Sequence, residues 1–375
     1  MSVAYKPVIW NRSKLVYDAF LLACVVAYLL VYIKLGPLLQ SSLAVTDWQI
    51  VRMRAFGSCA FLMLTVILAI GPLARLDRRF LPLLYNRRHF GVMTAIVAAT
   101  HAAAVLDWYF AYSPTPKLVG LLTANTSFAA LSGFPFEVFG IVALAILTVM
   151  AITSHDFWLN FLTPPVWKGL HMGVYLAYAA VVLHVAFGSL QDARNPLLAI
   201  LVGLCVAFLS VLHLWAGRRE VAADARGSAI DTTSGWLDFG PVDAIPEARA
   251  VIGCAPGGER IAVFRFKGRL AAISNVCSHQ NGPVGEGKVV LGFITCPWHG
   301  YQYRLEDGCS PPPFKERIRK YEVALAGAQV MVNPVPRPLG EKIAPLPIPA
   351  ELLGPVAPAI KPAAGVADMP REVRP

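Results

Sequence analysis

Charge is what this chain has least of. Asp, Glu, Lys and Arg together make up 15% of its 375 residues while 56% are hydrophobic, which excludes an ordinary soluble globular protein and puts a membrane class first. No glycine-rich G-x-G-x-x-G run is present, so the common dinucleotide-binding turn is missing. Nor is there a candidate set of two histidines and a carboxylate of the kind that activates oxygen on non-haem iron. The seven cysteines are odd in number and lack framework spacing, which argues against a disulfide scaffold and fits a reducing compartment.

The apolar residues are concentrated. Long uncharged runs fill the first 216 positions, and the charged, glycine-rich stretch from Val221 to Pro334 reads as soluble. A span needs about 20 mostly apolar residues. Six stretches qualify: Leu15–Leu35, Ala55–Ala74, His89–Leu106, Pro135–Thr153, Trp167–Leu190 and Pro196–Ala216. On the side of the amino terminus lie Lys6, Arg12, Lys14, Arg75, Arg78, Arg79, Arg87, Arg88, Lys168, Arg218 and Arg219. The opposite side has Lys34, Arg52, Arg54, Lys117 and Arg194. That asymmetry of eleven to five predicts a multi-pass protein of the inner (plasma) membrane with both termini in the cytoplasm. It also accounts for the net charge of +10 without nucleic acid.

Histidine inside hydrocarbon is costly and marks a functional site by default. His101 falls in the third stretch, His171 and His184 in the fifth and His213 in the sixth. His171 and His184 are 13 residues apart, about 20 Å along a helix, which puts one imidazole near each face of the bilayer. His101 stands 14 residues after Arg87, and His184 17 residues after Trp167. Both stretches run outward, so the two side chains share a depth. Haem iron held by two histidines from facing helices carries electrons without binding oxygen. The partner of His171 is open: His89 has a similar depth but sits among the interfacial Arg87 and Arg88, and His155 is a substitute. The two arginines read either as topology anchors or as partners of haem propionates.

These residues carry a resemblance. Gly71-Pro72-Leu73, Asn86-Arg87-Arg88 with Gly91, His101, Thr153-Ser154 with Trp158, and Trp167-Lys168-Gly169-Leu170-His171 with Tyr175 and His184 resemble the ferric-reductase-like transmembrane domain. The resemblance covers roughly residues 15–216 and implies one or two b-type haems at His101, His171 and His184, with His89 as the remaining candidate.

After a polar linker the pattern changes to short alternating runs split by glycine turns: Arg260–Phe266, Leu270–Val276, Lys288–Leu291, Tyr301–Arg304, Lys320–Leu325 and Gln329–Val332. They predict a small all-β domain. Within it stand Cys277-Ser278-His279 and, after 16 intervening residues, Cys296-Pro297-Trp298-His299-Gly300. Two thiolates on one iron and two neutral imidazoles on the other make a high-potential [2Fe-2S] donor set. A Cys2His2 zinc site uses the same ligand types, but zinc favours a cysteine pair and a histidine pair, whereas each loop here supplies one of each. With Asn281-Gly282-Pro283 and Gly300-Tyr301-Gln302-Tyr303, the region from about Trp236 to Asn333 resembles a Rieske ferredoxin domain of the dioxygenase type. That resemblance implies Cys277 and Cys296 on the buried iron and His279 and His299 on the exposed one.

The fold expectation is therefore multi-domain, a six-helix α transmembrane bundle followed by a small all-β Rieske domain. The domains run 1–216 for the haem-binding bundle, 217–235 for the linker and 236–335 for the Rieske domain. A Pro/Ala-rich tail, 336–375, with ten prolines in forty residues is expected to be extended and disordered. The leading functional expectation is electron transfer from a cytoplasmic reductase or ferredoxin through the cluster and b-type haems to an acceptor at the outer face. The alternatives are a membrane-anchored Rieske ferredoxin that donates to a partner oxygenase, and a redox sensor without haem.

Overall fold

The computed structural model describes residues 12–39, 47–84, 87–110, 113–129, 133–155, 158, 161–162, 164–191, 196–225, 235–255, 258–279, 282–297, 300–312 and 314–353. The described residues form two compact units, one holding the helices and the other the strands.

In the helical part, α1 (Arg12–Leu39), α2 (Trp48–Leu76), α3 (Arg87–Phe110), α4 (Glu137–Ile152), α5 (Pro164–His171), α6 (Gly173–Phe187) and α7 (Pro196–Ala225) follow in order. Among the described residues five stretches are long and apolar enough to cross a membrane: Lys14–Leu35, Trp48–Leu76, Arg87–Tyr109, Val166–Gln191 and Leu197–Arg219. The fourth expected span is shorter than its apolar run. α4 has 16 residues, about 24 Å of rise, and its last turn closes when Thr153 Oγ1 and Ser154 Oγ donate back to the carbonyls of Val149 (2.8 Å) and Met150 (2.7 Å). The fifth expected span is also interrupted, because the helix breaks at Met172 between α5 and α6.

α2 lies at the centre. α1, α3 and α7 pack on it, and α3 and α6 each pack on α4. Phe61, Leu64 and Leu68 of α2 meet Ala177 and Tyr178 of α6 and Leu209 of α7 in one core. Thr65 and Tyr178 share a buried hydroxyl contact of 3.2 Å there, which satisfies two polar groups that lipid could not.

The expected end of this part at residue 216 is corrected: α7 continues to Ala225. Hydropathy marks where lipid contact ends, and residues 217–225 are mostly good helix formers that carry the helix beyond it. Arg219 Nη1 then donates to the Leu76 carbonyl at 2.8 Å.

The β-rich part holds three small sheets. Their orders are β1 (Leu237–Pro241), β10 (Gln329–Val332), β9 (Val323–Ala326); then β11 (Leu346–Pro347), β4 (Arg269–Ser274), β3 (Arg260–Phe266), β2 (Ala250–Cys254), with β8 (Lys320–Tyr321) also on β4; and β5 (Lys288–Val290), β6 (Phe293–Thr295), β7 (Gln302–Arg304). Every pairing within them is antiparallel. β3 and β4 are joined by Lys267 and Gly268, both with positive φ (48° and 66°), the two-residue turn whose twist matches that of the strands. Ile261, Ala262, Val263 and Phe264 of β3 are all fully buried. This is why that run lacks alternation: it is covered on both faces, and each large side chain contributes roughly 2 kcal/mol of burial.

The expected free tail from residue 336 is corrected as well. The Ile343 N–H donates to the Glu306 carbonyl, Leu346 and Pro347 pair with Leu270 and Arg269, and Ile348 is buried in the core. Proline removes a donor but still fits a sheet edge, so this proline-rich segment packs. Residues 354–375 lie outside the described residues.

Candidate functional site

His101 sits on α3 and donates from Nδ1 to the Met53 carbonyl of α2 at 3.0 Å. A carbonyl only accepts, so the tautomer is fixed and Nε2 is left as the lone-pair nitrogen. His184 on α6 does the same to the Phe136 carbonyl, just before α4, at 3.1 Å. Metal-bound histidines are anchored in this way by the ring nitrogen that does not bind the metal. Both rings occupy space left by glycine: a Cβ at Gly57 would come within 2.9 Å of His101 Cε1, and one at Gly140 within 2.8 Å of His184 Nδ1. Each of the two expected histidines thus has a backbone anchor outside its own helix and an Nε2 not used by that anchor, a form that would suit a haem ligand.

His171 closes α5. Its Nδ1 donates to the Trp167 carbonyl of its own helix at 3.0 Å, its ring stacks on the Trp167 indole at 3.8 Å, and its Nε2 is buried without a hydrogen-bond partner among the described residues. Arg88 lies over the other part of this assembly, 5.5 Å from the Trp167 ring and 3.4 Å from the Ser154 carbonyl. A buried imidazole nitrogen left open beside a guanidinium fits a haem edge. His89 instead meets Asp18 of α1, Nδ1 to Oδ2 at 2.7 Å. His213 is satisfied at both ends, donating to the Leu209 carbonyl at 2.9 Å and accepting from the Tyr175 hydroxyl at 3.3 Å.

In the β-rich part, Cys277 follows β4 and is 1% exposed; Cys296 follows β6 and is 2% exposed. The Cys277 N–H donates to the Gly282 carbonyl at 2.9 Å and closes the first loop. The His279 ring stacks on the Tyr301 ring of the second loop, with centroids 4.5 Å apart and planes 11° from parallel, so the two loops meet. Among the described residues no group of three His, Cys, Asp or Glu side chains is close enough to hold a metal ion. His299, the fourth expected ligand, lies outside the described residues, as does Trp298. Two buried thiols on paired loops, with an imidazole fixed by an aromatic neighbour, suit an iron–sulfur donor set.

Gly57 and Gly140 escaped the sequence reading. The signal that marks them is a glycine four residues after a carbonyl that another helix's histidine uses, and only the fold reveals which carbonyl that is.

Comparisons with known proteins follow the same division. Residues 235–322 match the Rieske [2Fe-2S] domain and residues 54–182 the ferric reductase like transmembrane component. The anthranilate 1,2-dioxygenase ferredoxin subunit of Burkholderia cepacia is 32% identical over 27% of this chain and 94% of its own length. The protein-methionine-sulfoxide reductase heme-binding subunit MsrQ of Caulobacter vibrioides is 28% identical over 45% of this chain and 74% of its own length. Among solved structures, the ferredoxin of carbazole 1,9a-dioxygenase from Nocardioides aromaticivorans is 23% identical, with 27% of this chain and 98% of that chain covered at a TM-score of 0.25.

Proposed function

Because the chain belongs to the Rieske [2Fe-2S] family in its β-rich part and joins this to a ferric-reductase-like transmembrane component, we propose that it is a membrane-anchored Rieske ferredoxin that exchanges single electrons with a partner oxidoreductase such as an oxygenase. An electron-transfer role is common to both halves. The observation that carries the finer reading is the relative matched over 94% of its length, which is itself a dioxygenase ferredoxin subunit. This weighs more for the ferredoxin alternative than for the transmembrane haem path expected first from the sequence.

A Rieske cluster, when bound, supplies a one-electron couple of raised potential. The chain's own part is to position it. Cys277 and Cys296 are the buried thiolate donors, kept from water and from stray oxidants. Tyr301 holds the plane of the His279 ring, and His279 and His299 are the imidazole donors. His279 keeps accessible surface, and a partner can approach there.

The second reading extends the path into the bilayer, and specific geometry favours it: the anchored imidazoles of His101 and His184, the open Nε2 of His171, and a relative described as heme-binding. Haem b, when bound, supplies a further one-electron couple, closed to oxygen if both axial positions are histidine. His101 and His184 are the proposed outer ligand pair. His171 is the proposed inner ligand, with His89 as the candidate beside it.

A reduced-minus-oxidised visible spectrum of the purified chain, with haem and non-haem iron counted, separates these readings. Two non-haem irons without haem leave the anchored ferredoxin alone. Two non-haem irons with one or two b-type haems add the transmembrane path. A chain that holds no non-haem iron after cluster reconstitution overturns both.

A further inference from the structure

The same local arrangement occurs twice in the bundle. On α2 the carbonyl of Met53 accepts from His101, and Gly57 stands four residues later; at α4 the carbonyl of Phe136 accepts from His184, and Gly140 stands four residues later. In a helix the side chain at position i+4 leans back over the carbonyl of position i. Any residue but glycine at these two places would cover the carbonyl that the incoming imidazole uses. The distances agree, since Cβ atoms at Gly57 and Gly140 would fall 2.9 and 3.0 Å from Cε1 and Nδ1 of His101 and 2.8 and 2.9 Å from Nδ1 and Cε1 of His184. Contacts under 3.0 Å require the ring to move. By contrast, Gly91 on α3 and Gly203 on α7 have nothing within 4 Å of such a Cβ. His171 and His213 bond the carbonyl four residues back on their own helices and use no neighbour's glycine.

We propose that Gly57 and Gly140 are positioning residues for the His101 and His184 pair: each uncovers a backbone carbonyl on a neighbouring helix, and the bond to that carbonyl fixes the tautomer and plane of one imidazole so that both Nε2 atoms serve as axial ligands. The proposal rests on the haem reading of the bundle. It assigns the two rings a matched pair of anchors that the backbone supplies, and it separates this pair from the inner His171.

The test uses the full chain in detergent, with Gly57→Ala, Gly140→Ala and, as controls, Gly91→Ala and Gly203→Ala. The readouts are the ratio of haem to Rieske cluster and the low-spin haem electron paramagnetic resonance. Gly57→Ala and Gly140→Ala are expected to shift the low-spin signal or lower the haem-to-cluster ratio at least twofold, while both controls match the parent. Unchanged spectra and ratios in both variants would overturn the proposal and leave the haem reading standing. A parent chain with no haem would remove the haem reading and the proposal with it, and this is seen before any variant is made. If the alanine variants fail to assemble, pulsed resonance on the unaltered, histidine-labelled chain decides: both axial imidazoles should show a hydrogen-bonded remote nitrogen, and a pair without that bond refutes the assignment.

Discussion

What Nε2 meets distinguishes the imidazoles of this bundle better than their position in the sequence does. His101, His184, His171 and His213 all direct Nδ1 to a carbonyl. His213 Nε2 then accepts from Tyr175, whereas His171 Nε2 meets no hydrogen-bond partner among the described residues. On the haem reading, His184→Ala removes an axial ligand and should lose or shift the haem absorbance while the cluster's paramagnetic signal keeps its shape and intensity. His213→Ala should leave both as they are. Parallel visible and resonance spectra of the two variants check this, and equal haem loss in both would mean that the hydrogen-bond pattern does not identify the ligands. In the sequence, depth alone pairs His184 with His101, whatever direction the two side chains face. Direction was not legible. Neither 12 nor 13 residues brings a helix back to the same face at about 100° per residue, and the structure shows that His89 turns to Asp18 of α1.

At the level of elements, the β-rich part depends on a buried lysine. Lys320 on β8 is 3% exposed and donates from Nζ to the carbonyls of Glu306 and Ile343, both at 2.7 Å. It therefore ties the segment that leads to β11 onto the sheet. Burial pushes its ammonium down to about 8, against the pull of the nearby Asp307 and Glu306 carboxylates. The unfolded chain holds this proton up to the ordinary lysine range, so between about pH 8 and that range the unfolded state binds more protons than the folded one. The lysine's contribution to stability consequently rises with pH across that window and is flat below it. Lys320→Met should remove this dependence. It should also leave the Glu306 and Ile343 carbonyls without this charged donor and cost about 1–3 kcal/mol, with faster amide exchange at Ile343 and Ile348 than in the parent. Exchange that stays unchanged at these two amides would show that the segment is held by its strand pairing alone. The strands read from the sequence were those with glycine turns beside them, such as β3, β4 and β10. β1, β2, β6 and β11 were missed. β11 has two residues and a proline, and its signal is the sheet edge it joins, which composition cannot show.

For the whole molecule the question is parity. Five stretches are long enough to span, and if α4 with its 16 residues stopped short, the two termini would face opposite sides. The histidine anchors argue against this. His101, near the carboxyl end of α3, bonds the beginning of α2, and His184, near the carboxyl end of α6, bonds the residue that precedes α4. α2 therefore runs against α3 and α4 against α6, and the sequence expectation gives the two histidines one depth. We infer that α4 crosses as well; six crossings would then put both termini on one side, and the excess of Lys and Arg expected there, eleven against five, would make that side the cytoplasm. A reporter fused after Pro375 should accordingly be active only in its cytoplasmic form. One inserted between Ser113 and Pro116, in the connection after α3, should be active only in its external form. Activity of both reporters on the same side would mean that α4 does not cross, and the shared level of His101 and His184 would lose its basis.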